Sequence, residues 1–300
     1  MKGYKAFNKG LICKGKQYKE NETFEEERAV PCHRGMHFCK NPFDVLNFYD
    51  LVDENGEFSD FARVEAPDDA EVKTDDNIKY CTTKLKVGAK FSFAGFVKTC
   101  VDFVIEKTQS EKPDSGDYAK IGSSGDYAQI GSSGYSAKIG SSGYYAKIGS
   151  SGYYAQIGSS GDSAKIGSSG YSAKIGSSGD SAQIGSSGDS AKIGSSGDSA
   201  KIGSSGDSAQ IGSSGYSAQI GSSGYSAKIK STGYDSIICC AGDDSCVSAK
   251  KGSWITLAEW KYSYEKGRYV PKCVKTEYVD GERIKEDTMY KLIDGEFTEV

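Results

Sequence analysis

The pattern of apolar and polar positions divides the chain into three parts. From Gly116 to Thr232 one motif recurs every nine residues: Gly, Asp or Tyr, Ser or Tyr, Ala, Lys or Gln, Ile, Gly, Ser, Ser. Thirteen units fill this stretch. Ala keeps its place from Ala119 to Ala227 and Ile from Ile121 to Ile229, with only Lys or Gln between them. Apolar, polar, apolar predicts a strand with Ala and Ile on the inner face. The Gly-Ser-Ser-Gly that follows predicts a bend, because glycine takes positive φ without steric cost. A Gly/Ser linker has the same composition, but nothing in a linker holds Ala and Ile in phase. A solenoid does, since each rung buries its Ile only against the rungs on either side. The fold expected is mainly β, a parallel β-solenoid.

Two coil sizes fit the repeat. The Lys/Gln position holds Gln at Gln129, Gln156, Gln183 and Gln210, which a three-sided coil would stack into one ladder. A two-sided roll built from two units suits the small Ala and Ile core better, and the sequence leaves both open. The acidic position is Asp in seven units and Tyr in six, so it is not a calcium ligand. A single Thr in the repeats, Thr232, argues against the hydroxyl and methyl rows of an ice-binding face.

The flanks lack the repeat. Residues 1–112 read as an N-terminal α+β domain, with strands at Gly3–Phe7, Phe61–Glu65, Lys84–Val87 and Val101–Glu106. Asn41 and Pro42 open a helix as N-cap and first-turn proline, with Val45, Leu46, Tyr49 and Leu51 sharing a face. Residues 113–250 form the solenoid with degenerate last rungs, where Ser236 and Ser245 replace Ala while Ile238 and Val247 keep the Ile position. Cys239, Cys240 and Cys246 fill small positions there. Residues 251–300 read as a C-terminal antiparallel β cap, with a strand at Ser253–Ala258 and Asp-Gly hairpins at Asp280-Gly281 and Asp294-Gly295.

Charge narrows the function. Lys and Arg number 37 against 41 Asp and Glu, a net charge of −4, and no segment hides a polycationic patch, which argues against nucleic acid as a partner. No run of apolar residues is long enough for a membrane span and no signal-like segment opens the chain. Nine cysteines, odd in number and scattered, read as free thiols in a reducing compartment.

Candidate chemistry is confined to the N-terminal segment. Cys32, His33, His37 and Cys39 bring both histidines and two cysteines together in eight residues, the ligand types zinc prefers. The spacing is awkward for a tetrahedral site, and the alternative puts His37 and Cys39 on opposite faces of a buried strand. No motif demands a cofactor. Tyr118, Tyr127, Tyr145 and Tyr154 face outward in the first five units and mark an interaction surface, covered by residues 1–112 or by a second copy of the chain.

The run Gly35-Met36-His37-Phe38-Cys39, Pro42, Val45-Leu46, Tyr49 resembles the N-terminal domain of uncharacterised phage and prophage proteins that also carry Ser-Gly-x-x-Ala-x-Ile-Gly repeats. A strand with Gly-x-His followed by a helix ending in Tyr is, more distantly, similar to the ADP-ribosyltransferase fold. That second resemblance implies a nicotinamide-nucleotide pocket near His37 and Tyr49, with Glu106 on a strand as catalytic acid. The chain lacks the Ser-Thr-Ser strand and the Glu-x-Glu or Gln-x-Glu pair of that fold. The leading expectation is a non-enzymatic structural or interaction protein of phage type, cytoplasmic in a bacterial host or virion-associated, using the solenoid as spacer or display surface toward a protein partner or itself. The alternative is a nucleotide-recognising N-terminal domain, a transferase or a counter-defence protein that sequesters a host nucleotide signal.

Overall fold

The structure, a computed structural model, describes residues 1–49, 51, 58–109 and 116–300. Each nine-residue unit supplies one strand of four residues, Lys/Gln-Ile-Gly-Ser, and successive strands alternate between two parallel sheets. Ile157, Ile175 and Ile193 therefore pair in register on one sheet, and Ile166, Ile184 and Ile202 on the other. The coil is two units long. Gln129, Gln156, Gln183 and Gln210 fall on alternate sheets, so their recurrence is a feature of the sequence and not a ladder in space.

Along each strand the Ile and the last Ser point inward while Lys or Gln and Gly point outward. Ile175, Ile193 and Ala191 are 0% exposed. Full burial of an Ile contributes about 1.5–3 kcal/mol, repeated along the inner rungs, while Ile121 of the first rung is only partly buried. Inward rows of serine, among them Ser159, Ser177 and Ser195, flank the Ile rows.

The bend lies later than the composition suggests. The strand runs through Gly-Ser, and the corner is the following Gly-Asp/Tyr-Ser/Tyr. Its third residue, not the glycine, takes the left-handed conformation, as at Ser163 (φ 56), Ser181 (φ 55) and Tyr145 (φ 56). That conformation costs a non-glycine residue about 1–2 kcal/mol. Contacts to neighbouring rungs offset it: Ser181 N–H donates to the Asp198 carbonyl at 2.8 Å, and Asp180 N–H to the Asp162 carboxylate at 2.9 Å. Where Tyr replaces Asp, rings stack instead, Tyr135 on Tyr153 at 5.9 Å. The corner glycine serves close approach. A Cβ on Gly179 would lie 2.1 Å from the Gly161 carbonyl oxygen.

The N-terminal domain is a seven-stranded antiparallel sheet in the order Thr23–Glu25, Lys84–Phe91, Asp60–Glu65, Lys2–Phe7, Met36–Cys39, Lys79–Thr82, Val72–Lys73. Pro42–Asn47 forms a 3-10 helix, with Asn41 Oδ1 accepting the Phe43 N–H at 3.0 Å as an N-cap. Val101–Glu106, expected as a strand, lies inside helix α1, Phe93–Gln109. The residues Phe93, Val97, Val101 and Val104 lie along one face at helical spacing, and that face packs on the roll. Its burial outweighs the local β preference of Val-x-Phe-Val-Ile. The boundary expected at 112 falls outside the described residues.

At the other end Trp254–Ser263 adds one more parallel rung beside Ile237–Cys240 and then pairs antiparallel with Arg268–Tyr278. Tyr290–Ile293 and Glu296–Glu299 close the second sheet, joined at Asp294 (φ 49) and Gly295 (φ 75). The cap therefore continues both sheets, and the division at 250 cuts a shared hydrogen-bond network. Asp280-Gly281 is not a hairpin. The Asp280 carboxylate instead accepts three backbone N–H groups, from Glu282, Arg283 and Ile284. Such caps cover sheet edges that would otherwise recruit foreign strands.

Candidate functional site

A cavity of about 360 Å³ opens in the N-terminal domain. Its outer wall is a tight turn, Ile12–Cys13 paired with Lys16–Gln17 through Lys14 (φ 49) and Gly15 (φ 77). The buried Asp60 carboxylate accepts the N–H groups of Gly10 and Leu11 at 2.7 and 3.0 Å and so fixes the approach to that turn. Cys13, Lys14 and Lys16 are thereby held over Lys5, His37, Tyr49 and Lys79, which also line the cavity with Tyr18 and Phe48.

Lys5 is the least expected member. It sits within the strand Lys2–Phe7 and is 5% exposed. Its Nζ donates to the His37 carbonyl at 3.0 Å and to Cys13 Sγ at 3.4 Å. Burial lowers its pKa below the ordinary lysine value, against a raising influence from Cys13. The Tyr49 hydroxyl also donates to Cys13 Sγ, at 2.8 Å, and burial raises the Tyr49 pKa. Tyr18 is raised for the same reason.

His37 lines the cavity as a neutral imidazole. The Cys32 N–H donates to its Nε2 at 3.2 Å. Partial burial, then nearby lysines, among them Lys79 and Lys14, lower its pKa to about 4. The cavity is thus electropositive, with Glu26 as the acidic residue in its lining, already paired with Lys16 at 2.5 Å. Cationic groups beside Tyr18, Phe48 and Tyr49 suit a flat anionic ligand.

The structure brings His37, Tyr49 and Cys32 together around the cavity, but not Glu106, His33 or Cys39. Glu106 is exposed on α1 and does not line the cavity. Cys32 and His33 are exposed. Cys39 lies on the same face of its strand as His37, not the opposite one, since residues two apart share a face. Cys39 is buried against Phe43 and Val45, and burial pushes its thiol up to about 12. Among the described residues no three His, Cys, Asp or Glu side chains converge as metal ligands. All nine cysteines are free.

The tyrosines divide between two edges. Tyr127 stacks on Tyr145 at 5.3 Å along one corner row, while Tyr118 and Tyr154 belong to the other, because the coil returns every two units. Tyr118 and Tyr127 are 71% and 68% exposed, so the described residues of the N-terminal domain leave them largely uncovered. The N-terminal domain docks elsewhere, on the outward face of one sheet.

On that covered face the outward glycines receive side chains: Gly158 meets Phe43 and Val101, Gly176 meets Val97, and Gly194 meets Phe93 and Phe58. The outward Lys/Gln row meets the 3-10 helix. Lys138 pairs with Asp44, Gln156 donates to Asn47 Oδ1 at 2.8 Å, and Lys174 donates to the Leu46 carbonyl. The opposite sheet carries the same two rows, and a Cβ on Gly149, Gly167, Gly185 or Gly203 would meet nothing within 4 Å. These rows line an open trough of about 1080 Å³ with Lys147, Lys165 and Lys201 along its side.

Among the described residues no helix is long and apolar enough to cross a membrane. No curated protein and no solved structure matches the chain. Residues 1–99 match the model of a family described as a domain of unknown function, DUF7666, and the match ends before the repeats begin.

Proposed function

We propose that the protein is a non-enzymatic structural or interaction protein whose rigid β-roll holds the N-terminal domain on one face and offers the twin face to a protein partner. The carrying observation is the contrast between the two glycine rows, one filled by Val97, Val101 and Phe43, the other bare. The covered face also supplies the chemistry of the partner: an apolar helix ridge on the glycines, and carboxylate or carbonyl groups on the Lys/Gln row. The exposed tyrosine edges, with Tyr118 and Tyr154 on one and Tyr127 and Tyr145 on the other, are the second contact surface. A phage-type setting, in host cytoplasm or virion, accords with the repeat resemblance.

The test uses a peptide copying residues 93–106 added to the full chain. It should bind saturably and shield Lys147, Lys165 and Lys201 from amine acylation, and replacing those three lysines with Glu should change its affinity. Unchanged acylation at saturating peptide would refute the docking face.

A second reading rests on the cavity: the N-terminal domain binds a small anionic nucleotide. Its volume falls within the ~300–1,000 Å³ usual for small-molecule sites, and Lys14, Lys79 and the aromatic walls fit phosphate and base. A nucleotide at a hundred times its Kd should stabilise the protein by about 2.7 kcal/mol, read as a rise in melting temperature with AMP or NAD. No rise with either nucleotide removes this reading.

A further inference from the structure

We propose that Lys5 captures a carbonyl: its amine condenses with a small aldehyde or keto acid seated in the N-terminal cavity. The inference rests on the reading of that cavity as an anion site and adds a covalent step to it. Lysine attacks carbonyls only as the free amine, and an exposed lysine is overwhelmingly ammonium near neutral pH. Among the described residues of this domain Lys5 is the buried lysine, and it lines a cavity. Desolvation favours its uncharged form. Its Nζ is aimed toward Cys13 Sγ and the His37 carbonyl, with the Tyr49 hydroxyl on the same sulfur. Lys14 and Lys79 flank the cavity where a carboxylate or phosphate of the same molecule would rest.

The step balances without a further reactant. The Lys5 nitrogen lone pair forms a bond to the carbonyl carbon, the carbonyl oxygen takes up a proton, and the amine nitrogen loses one to give a carbinolamine. That oxygen then leaves as water as the C=N bond forms. The products are an imine on Lys5 and one water. Tyr49 and Cys13, the hydroxyl and thiol within reach of this nitrogen's surroundings, are placed to carry the protons.

The experiment treats the full chain with glyoxylate and cyanoborohydride near neutral pH and follows carboxymethylation of each lysine by peptide mass spectrometry. Lys5 should be modified at least about tenfold faster than Lys14 or Lys16, reflecting the scarcity of free amine on exposed lysines. Propionaldehyde, which lacks the anion, should lose most of that preference. Replacing Lys14 and Lys79 together with Ala should slow Lys5 modification by glyoxylate roughly tenfold, as loss of an anion anchor worth about 1.4 kcal/mol would. This variant leaves Lys5 and the strand that carries it intact, so the test does not depend on whether Lys5→Met folds. Lys5 left unmodified while surface lysines react would overturn the proposal. Slower Lys5 modification in the presence of AMP supports a shared anion site. If AMP raises the melting temperature but Lys5 stays unmodified, the cavity binds anions and the capture step is wrong. If Lys5 reacts without help from Lys14 and Lys79, the anion reading fails and only a reactive amine remains.

Discussion

The two sheets of the roll are built from one repeated sequence and have different fates. On the covered sheet Gly140, Gly158, Gly176 and Gly194 are pressed by Val101, Val104, Phe43, Val97 and Phe93; on the open sheet Gly149, Gly167, Gly185 and Gly203 face solvent. The strands are alike, so what differs is only what the rest of the chain lays against them. A repeat fixes its own rung geometry through Ile and Ala, whereas the choice of face belongs to the domain that docks. The same residue type also does separate work at separate places: corner glycines let rungs stack closely, and strand glycines make a trough that a helix enters.

The largest expected effect breaks what the two faces share. In Gly179→Ala the new Cβ would be 2.1 Å from the Gly161 carbonyl oxygen, a backbone atom with no freedom to swing away. Rung spacing must open, and the loss should exceed about 4 kcal/mol. Circular dichroism should show an early or broadened melt; an unchanged melt would mean that the corners stack differently. Next comes Ile193→Ala, which removes a side chain that is 0% exposed and should cost about 2–5 kcal/mol. Chemical denaturation measures it, and a loss below about 1 kcal/mol would contradict the inward Ile row.

Gly194→Ala separates the faces. Its Cβ would come 2.5 Å from the Phe93 ring, so α1 must lift or repack, at about 1–3 kcal/mol. Hydrogen exchange should speed up along α1 while the open sheet stays protected. Equal exchange along α1 in variant and parent would mean that the helix does not depend on this glycine.

A smaller effect tests the cavity against the roll, which holds no histidine. His37 has its folded pKa lowered to about 4, against about 6.5 unfolded. As pH falls through that window the unfolded chain takes up the proton first, so stability drops between about pH 6.5 and 4. Half-burial and solvent screening reduce the full shift to about 1–2 kcal/mol. His37→Gln should remove that share of the acid sensitivity, and an unaltered pH profile would place His37 in a more solvated setting.

The sequence showed the roll because Ile and Ala hold a two-residue alternation that any solenoid must keep, and Ile175 and Ala191 are buried as that alternation requires. It did not show the coil size, since Gln129 and Gln156 recur by sequence history on opposite sheets. Val101–Glu106 misled because β-branched residues in a short window carry strand preference, while the helical face they form is visible only with Phe93 and Val97 included. The outward Lys174, which the strand alternation alone would make expendable, is tied to the Leu46 carbonyl by the docked domain. His37 and Tyr49, singled out in the sequence, both line the cavity. Lys5 and Cys13 were not singled out, because the cavity gathers residues from positions 5 to 79 with no common spacing. The signal available was Lys5 itself, a charge set between Tyr4 and Ala6 in the half of its strand that reads toward the apolar Ala6 and Phe7.

The smallest expected effect sharpens the comparison most. Gly203→Ala on the open face places a methyl group where nothing lies within 4 Å. The backbone there is extended, and alanine restricts the unfolded chain more than glycine does, so stability should be unchanged or higher by about 0.4–1 kcal/mol. The same substitution narrows the trough by one methyl group at the height where Phe93 sits on the twin face at Gly194. Stability and docking should therefore part company: the melt holds, while the peptide copying residues 93–106 loses affinity for the open face. Gly203→Ala with full peptide binding would show that the open trough is not read as the covered one is, and that its glycines serve the roll alone.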